Sequence, residues 1–167
     1  MGGVWRELSN LWQSVRDPEY AHLLLESLPL YGLAAGLTFL IVSLVTGEHR
    51  SRLLALLVVA ASCASVWPYL DLRAKATPRI VAVRPQEAKI EITAQTDLRQ
   101  ETAWAYHLLA VVSSLAALTS KTRAGRYFLI ATVVGGMAVF WLSLWLHKKE
   151  CELYHPNIRR YVAPARR

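Results

Sequence analysis

Four stretches of the chain, residues 28–46, 53–70, 103–120 and 127–147, run almost without charge. At about 1.5 Å per residue each is long enough to cross a hydrocarbon layer of roughly 30 Å as a helix. The connections 47–52 and 121–126 are so short that the windows they join must form antiparallel hairpins. A different pattern precedes them. Between residues 4 and 16, Val4, Trp5, Leu8, Leu11, Trp12 and Val15 recur at helical spacing, with Arg6, Glu7, Asn10, Gln13 and Arg16 on the opposite side. Too short and too polar to span, this segment predicts an amphipathic helix lying at the membrane surface, or packed on the protein's own outer part or a neighbouring subunit. Asp17-Pro18 ends it, since proline disfavours helix in the residue before it.

The expected fold is therefore all-α: an integral membrane four-helix bundle over residues 28–147, an interfacial segment over 1–27, an extramembrane loop over 71–102 and a basic tail over 148–167. Within the loop, residues 79–83 and 89–93 alternate briefly in polarity and predict a small β-hairpin with Pro85 and Gln86 in its turn. Asp97 with Gln100 three residues on reads as a capping box, where the third helix would start. Small residues mark where helices approach closely: Gly32 and Gly36, then Ala60, Ala61, Ala64 and Ser65, then Gly135 and Gly136. In lipid, association depends on packing, and this spacing favours a tight intramolecular bundle over dimerisation.

Composition agrees with a membrane class, because 54% of the residues are apolar. The net charge of +7 would suit nucleic acid, but the Lys and Arg residues flank the apolar windows. Lipid headgroups are the simpler partner, and nucleic acid is set aside. Both short connections are basic, with Arg50 and Arg52 in one and Lys121, Arg123 and Arg126 in the other. That density places the tips in the cytoplasm and both chain ends in the periplasm, as in a multi-pass protein of the bacterial inner membrane. Trp67, Trp104, Trp141 and Trp145 gather near the interface on the side of the chain ends. Residues 1–27 hold four acids and no continuous apolar core, so they do not read as a cleaved signal peptide. Cys63 and Cys151 differ greatly in expected depth, which argues against a disulfide between them.

If the helices alternate in direction, His22, Asp71, His107 and His147 meet at one end, with Cys151 and His155 following on the same side. His22 and Glu26 stand at i and i+4 and share a helical face, where a hydrogen-bonded pair would orient the start of the first helix. Two sharper readings compete with that structural one. His107, expected to be the deepest histidine, could pair with His22, His147 or His155 around a haem b. His147, Cys151 and His155, at i, i+4 and i+8, offer ligand types that suit zinc or copper, although Pro156 pushes His155 out of helical geometry. The chain has no Cys-x-x-Cys, Gly-rich phosphate loop, H-E-x-x-H or G-x-S-x-G, so no catalytic motif is expected.

The segments "HLLLESLPLYGLAAGL", "ASVWPYLDL" and "YHPNIRR" resemble those of a loose group of small bacterial four-helix membrane proteins of uncharacterised function. The resemblance spans about residues 20–160 and rests on His22, Pro29, Trp67, Pro68 and His155. Many of those proteins carry a Gly-Gly pair where this chain has Glu150-Cys151-Glu152. It implies a four-helix bundle with polar residues clustered at one end, in an energy-transducing membrane setting. The expected function is a non-catalytic membrane subunit, without a cofactor, that supports the structure or assembly of a larger complex alongside other membrane subunits. A haem-binding electron carrier is the alternative, and a His/Cys transition-metal site the second.

Overall fold

The computed structural model describes residues 16–154, and the amphipathic segment expected at 4–16 lies almost wholly outside that range, as does His155. Five helices make up the described chain: α1 Pro18–Thr46, α2 His49–Ala64, α3 Val66–Ala82, α4 Gln86–Leu118 and α5 Arg123–Tyr154. No strand occurs among the described residues. Three helical runs are long and apolar enough to cross a membrane, Pro18–Thr46, His49–Ala82 and Arg123–Glu152, the second being α2 and α3 together. α4 runs beside them and closes the bundle.

Local chemistry sets the boundaries. Asp17 caps α1, its carboxylate accepting a hydrogen bond from the Glu19 amide at 2.9 Å, and Pro18 occupies the first turn, where a missing N–H costs nothing. Gly47 ends α1 at φ 72°, a left-handed conformation that favours glycine. α2 and α3 form one rod interrupted at Ser65. Its N–H still donates to the Ala61 carbonyl at 3.0 Å, whereas Pro68 has no N–H for the carbonyl four residues back. The helical run is therefore interrupted beside Pro68 without ending there.

The helices continue well past the apolar windows, and here the structure corrects the sequence reading. The β-hairpin expected over 79–93 is helical on both sides of a tight turn at residues 83–85, with Pro85 as the cap of α4. Five alternating residues per arm are a weak strand signal. The same stretch carries a helical one, because Ile92 and Thr96 continue the buried stripe of Ala103, Tyr106, Leu109, Ser113 and Ala116 at spacings of three and four. For the same reason α4 starts at Gln86 and not at the box formed by Asp97 and Gln100.

The bundle alternates in direction. Deep in its core Leu33, Leu37, Val59, Cys63, Tyr106, Leu109, Val139 and Leu146 pack together, and nearer the short turns Leu40, Ala55, Leu56 and Ala116 form a second cluster. Ser113 of α4 donates to the Leu56 carbonyl of α2 at 2.7 Å, and the Tyr106 and Ser143 hydroxyls meet at 2.7 Å between α4 and α5. Cys63 and Cys151 are both free thiols.

α1 and α2 approach closely at Gly36 and Gly32. A Cβ there would stand 2.8 Å from Val59 Cγ2 and 3.1 Å from the Val59 backbone nitrogen, while one at Gly32 would collide with the Ser62 side chain. The paired glycines thus serve contact within the chain. We predict that Gly36→Ile destabilises the bundle by about 1–3 kcal/mol, since backbone must move to admit the side chain. Unfolding of the purified protein in mixed micelles measures this, and Gly47→Ala, which meets no neighbour but strains φ, should act only locally.

Candidate functional site

Among the described residues, the feature that stands out is a buried cluster of four charges, one from each arm of the bundle. Glu26 comes from α1, Arg73 from α3, Arg99 from α4 and Glu150 from α5. Glu150 is the hub. Its Oε1 accepts from Arg73 Nη1 at 2.5 Å, and its Oε2 accepts from Arg99 Nη2. Arg99 Nη2 also reaches Glu26 Oε1 at 3.4 Å. Two guanidinium and two carboxylate groups leave the cluster neutral if all four are ionised, which is the condition under which burying them is tolerable.

Polar and aromatic neighbours complete the arrangement. Arg73 donates through Nη1 to the Tyr69 hydroxyl at 2.6 Å and through Nε to Thr96 Oγ1 at 3.2 Å, and the Thr96 hydroxyl in turn donates a hydrogen bond to the Ile92 carbonyl. The Tyr69 ring lies under both arginines, 5.9 Å from Arg73 Cζ and 5.4 Å from Arg99 Cζ, so its face adds cation–π attraction. Arg99 Nε is buried without a hydrogen-bond partner among the described residues. A cavity of about 20 Å³ adjoins it, lined in part by Pro29, Tyr69, Tyr106 and Leu146, with room for one water.

The cluster has a defined level. Arg73 lies six residues after Trp67, Arg99 five before Trp104 and Glu150 five after Trp145, so it stands about 8–9 Å along the helices from these tryptophans. Trp67, Trp104 and Trp141 are each about two-thirds exposed or more, as residues at a headgroup boundary are. The clasp therefore lies just outside the tryptophan level, toward the end that carries the α3–α4 turn.

The histidines are placed differently from expectation. His22 is buried, but its Nδ1 lies 3.1 Å from the Pro18 carbonyl of its own helix, and the Glu26 carboxylate turns to Arg99. His107, expected to be the deepest, is exposed on the outer face of α4 with Trp104, Leu108 and Val111, because the neighbouring Tyr106 takes the inward position. His147 is half-buried, its Nε2 lying 3.6 Å from Cys151 Sγ. No group of three or more His, Cys, Asp or Glu side chains able to hold a metal forms among the described residues. Asp71 stays at the surface, paired with Lys75 at 2.6 Å.

Arg73, Arg99, Glu150, Tyr69 and Thr96 were missed by the sequence reading. A signal existed: carried outward, the inward stripes of α4 (Tyr106, Ala103) and α5 (Leu146, Ser143) land on Arg99 and Glu150. The class these features define is an all-helical protein with helices apolar enough to span a membrane and a charge cluster tying its helices at one end. Comparison with family models, curated proteins and solved structures finds no match, so function rests on the chain's own geometry.

Removing one member should expose the dependence of the others. Glu150→Gln leaves Arg73 and Arg99 with only Glu26, and we predict a loss of about 3–5 kcal/mol, the usual cost of breaking a buried pair. Glu26→Gln, which weakens the 3.4 Å contact to Arg99 and leaves both Glu150–arginine pairs in place, should cost less. Denaturation in mixed micelles ranks the two, and the reverse order would show that Glu150 is not the hub.

Proposed function

We propose that the chain is a non-catalytic subunit of a bacterial membrane complex that crosses the inner membrane four times and supports the assembly of its partners. The observation that carries this is the disposition of its polar groups. The charges of Glu26, Arg73, Arg99 and Glu150 are spent on one another in joining the helices. The fourth crossing is supported by α4, whose outward residues Trp104, Leu108, Val111 and Leu118 are apolar and exposed. Five basic residues at the short connections, against the single acid Glu48, favour the cytoplasm for those tips and the periplasm for the chain ends.

Beyond the clasp, α3 and α4 project as a helical hairpin. Arg73 precedes the last residue of α3 by nine positions, so the hairpin extends about 14 Å past the charges. It carries exposed Val83 and Ile90 outside the tryptophan level, where no lipid tail would cover them. This hairpin, in the stretch first read as a loop, is the surface we assign to a protein partner. A photo-crosslinking residue at Ile90 should give one adduct of defined mass in native membranes, absent when the crosslinker replaces Phe39 on the apolar flank of α1. A lone monomer after mild-detergent purification, with no adduct at Ile90, would reject the subunit reading.

One contact keeps the transition-metal reading alive. In a tetrahedral zinc site, a thiolate sulfur and an imidazole nitrogen on the same ion stand about 3.5 Å apart. Cys151 Sγ and His147 Nε2 are separated by 3.6 Å. A cobalt(II) charge-transfer band that disappears in Cys151→Ser would establish the site, and protein that stays colourless with excess cobalt would remove it. No contact in the described residues favours the haem reading in the same way.

A further inference from the structure

The opposite end of the bundle carries uncompensated positive charge. Between α2, α4 and the start of α5 lies a cavity of about 460 Å³ whose rim holds Arg52, Lys121, Arg123 and Arg126 and whose lining contains no acid. Leu56 and Leu129, which belong to the core cluster nearer the short turns, also line it. Arg52 Nε is buried there without a hydrogen-bond partner among the described residues, so a donor has been desolvated with nothing to receive it. The amide end of α5 adjoins the rim and adds the positive end of a 32-residue helix.

We infer that this cavity binds the phosphate of an anionic phospholipid headgroup, from the leaflet that meets the short turns of the bundle. The chemistry is that of a phosphodiester: four cations suit one or two such anions, and Arg52 offers the fixed donor that a phosphate oxygen accepts from. The level favours a lipid over a free ion. The rim lies where the apolar windows end, and Leu118, Tyr127 and Ile130 are exposed just inside that level, so acyl chains would lie against the helices below a bound headgroup. The cavity is within the size range of small-molecule sites. This inference rests on the membrane reading above and not on partner docking, since the hairpin is at the other end.

The test uses the full chain in a zwitterionic detergent. Native mass spectrometry with added phosphatidylglycerol, cardiolipin or phosphatidylcholine should show one or two anionic lipids retained and phosphatidylcholine lost. The double variant Arg52→Gln with Arg126→Gln should weaken that retention by about tenfold or more, at the attraction typical of each basic residue near anionic lipid. Arg50→Gln, which removes an exposed charge of the same turn outside the cavity, should leave it unchanged. Equal weakening by Arg50→Gln would overturn the site in favour of diffuse surface charge, and undiminished retention in the double variant would overturn it outright. Should the double variant not fold, competition on the wild type decides. Displacement of the retained lipid by short-chain phosphatidylglycerol but not by millimolar inorganic phosphate supports the proposal, and equal displacement by phosphate would make the site one for a soluble anion. Crosslinking at Ile90 is read separately, so loss of one result leaves the other standing.

Discussion

Four charges can be held away from water only if they neutralise one another at contact distance, and that requirement fixes how this bundle is put together. Glu150 must present one carboxylate oxygen to Arg73 and the other to Arg99, while Arg99 reaches back to Glu26. Each of the four comes from a different arm, so meeting the condition sets the rotation and height of α1, α3, α4 and α5 together. Such clusters add little net stability compared with well-packed apolar groups; their effect is to make alternative arrangements costly. In lipid that discrimination matters more, because apolar side chains gain nothing by facing a neighbour instead of a tail.

The remaining interior follows the same logic at lower stakes. α1 and α2 are brought together by Gly32 and Gly36 against Ser62 and Val59, a contact of backbone and small groups. α4 is tied to α2 by Ser113 on the Leu56 carbonyl and to α5 by Tyr106 on Ser143. These polar contacts recur at the inward positions of helices whose outward faces are equally apolar. Past the interruption at Ser65, Val66 and Tyr69 face inward, so that α3 delivers the Tyr69 ring beneath both guanidinium groups.

Faces that are apolar both inward and outward explain what could be read from residues alone. The apolar windows and short basic turns announce helices and hairpins by length and charge, and the structure has helices there. Helix rotation was another matter. Placing His107 inside assumed that a polar side chain in an apolar window must be buried, but Tyr106 and Ser143 supply the buried polar contact and His107 faces out. The β-hairpin failed because five-residue alternation was weighed without extending the three-and-four spacing of α4 back to Thr96 and Ile92. The clasp was hidden for a related reason. Its members lie just beyond the windows, where charges are expected to be solvated, and only the continuation of the interior stripes distinguishes Arg99 and Glu150 from their exposed neighbours Gln100 and Lys148.

Among the described residues, the clasp and the cavity at the opposite end differ in electrostatic character. At the clasp end, Arg73 and Arg99 are answered by Glu26 and Glu150, Lys75 by Asp71 and Arg79 by Asp17 at 3.7 Å. At the turn end, Glu48 is engaged by the Ser51 hydroxyl at 2.7 Å and is not among the residues lining the cavity, whose charged groups are all cationic. The clasp itself is self-neutralised and has no call on external ions, which fits the proposed role of the hairpin beyond it as a surface for a protein partner. A cationic pocket at the opposite boundary holds its charges apart only at the cost of mutual repulsion, and an anion seated among them relieves it. On the proposed reading the two ends therefore meet different partners, protein at the projecting hairpin and phosphate at the short turns.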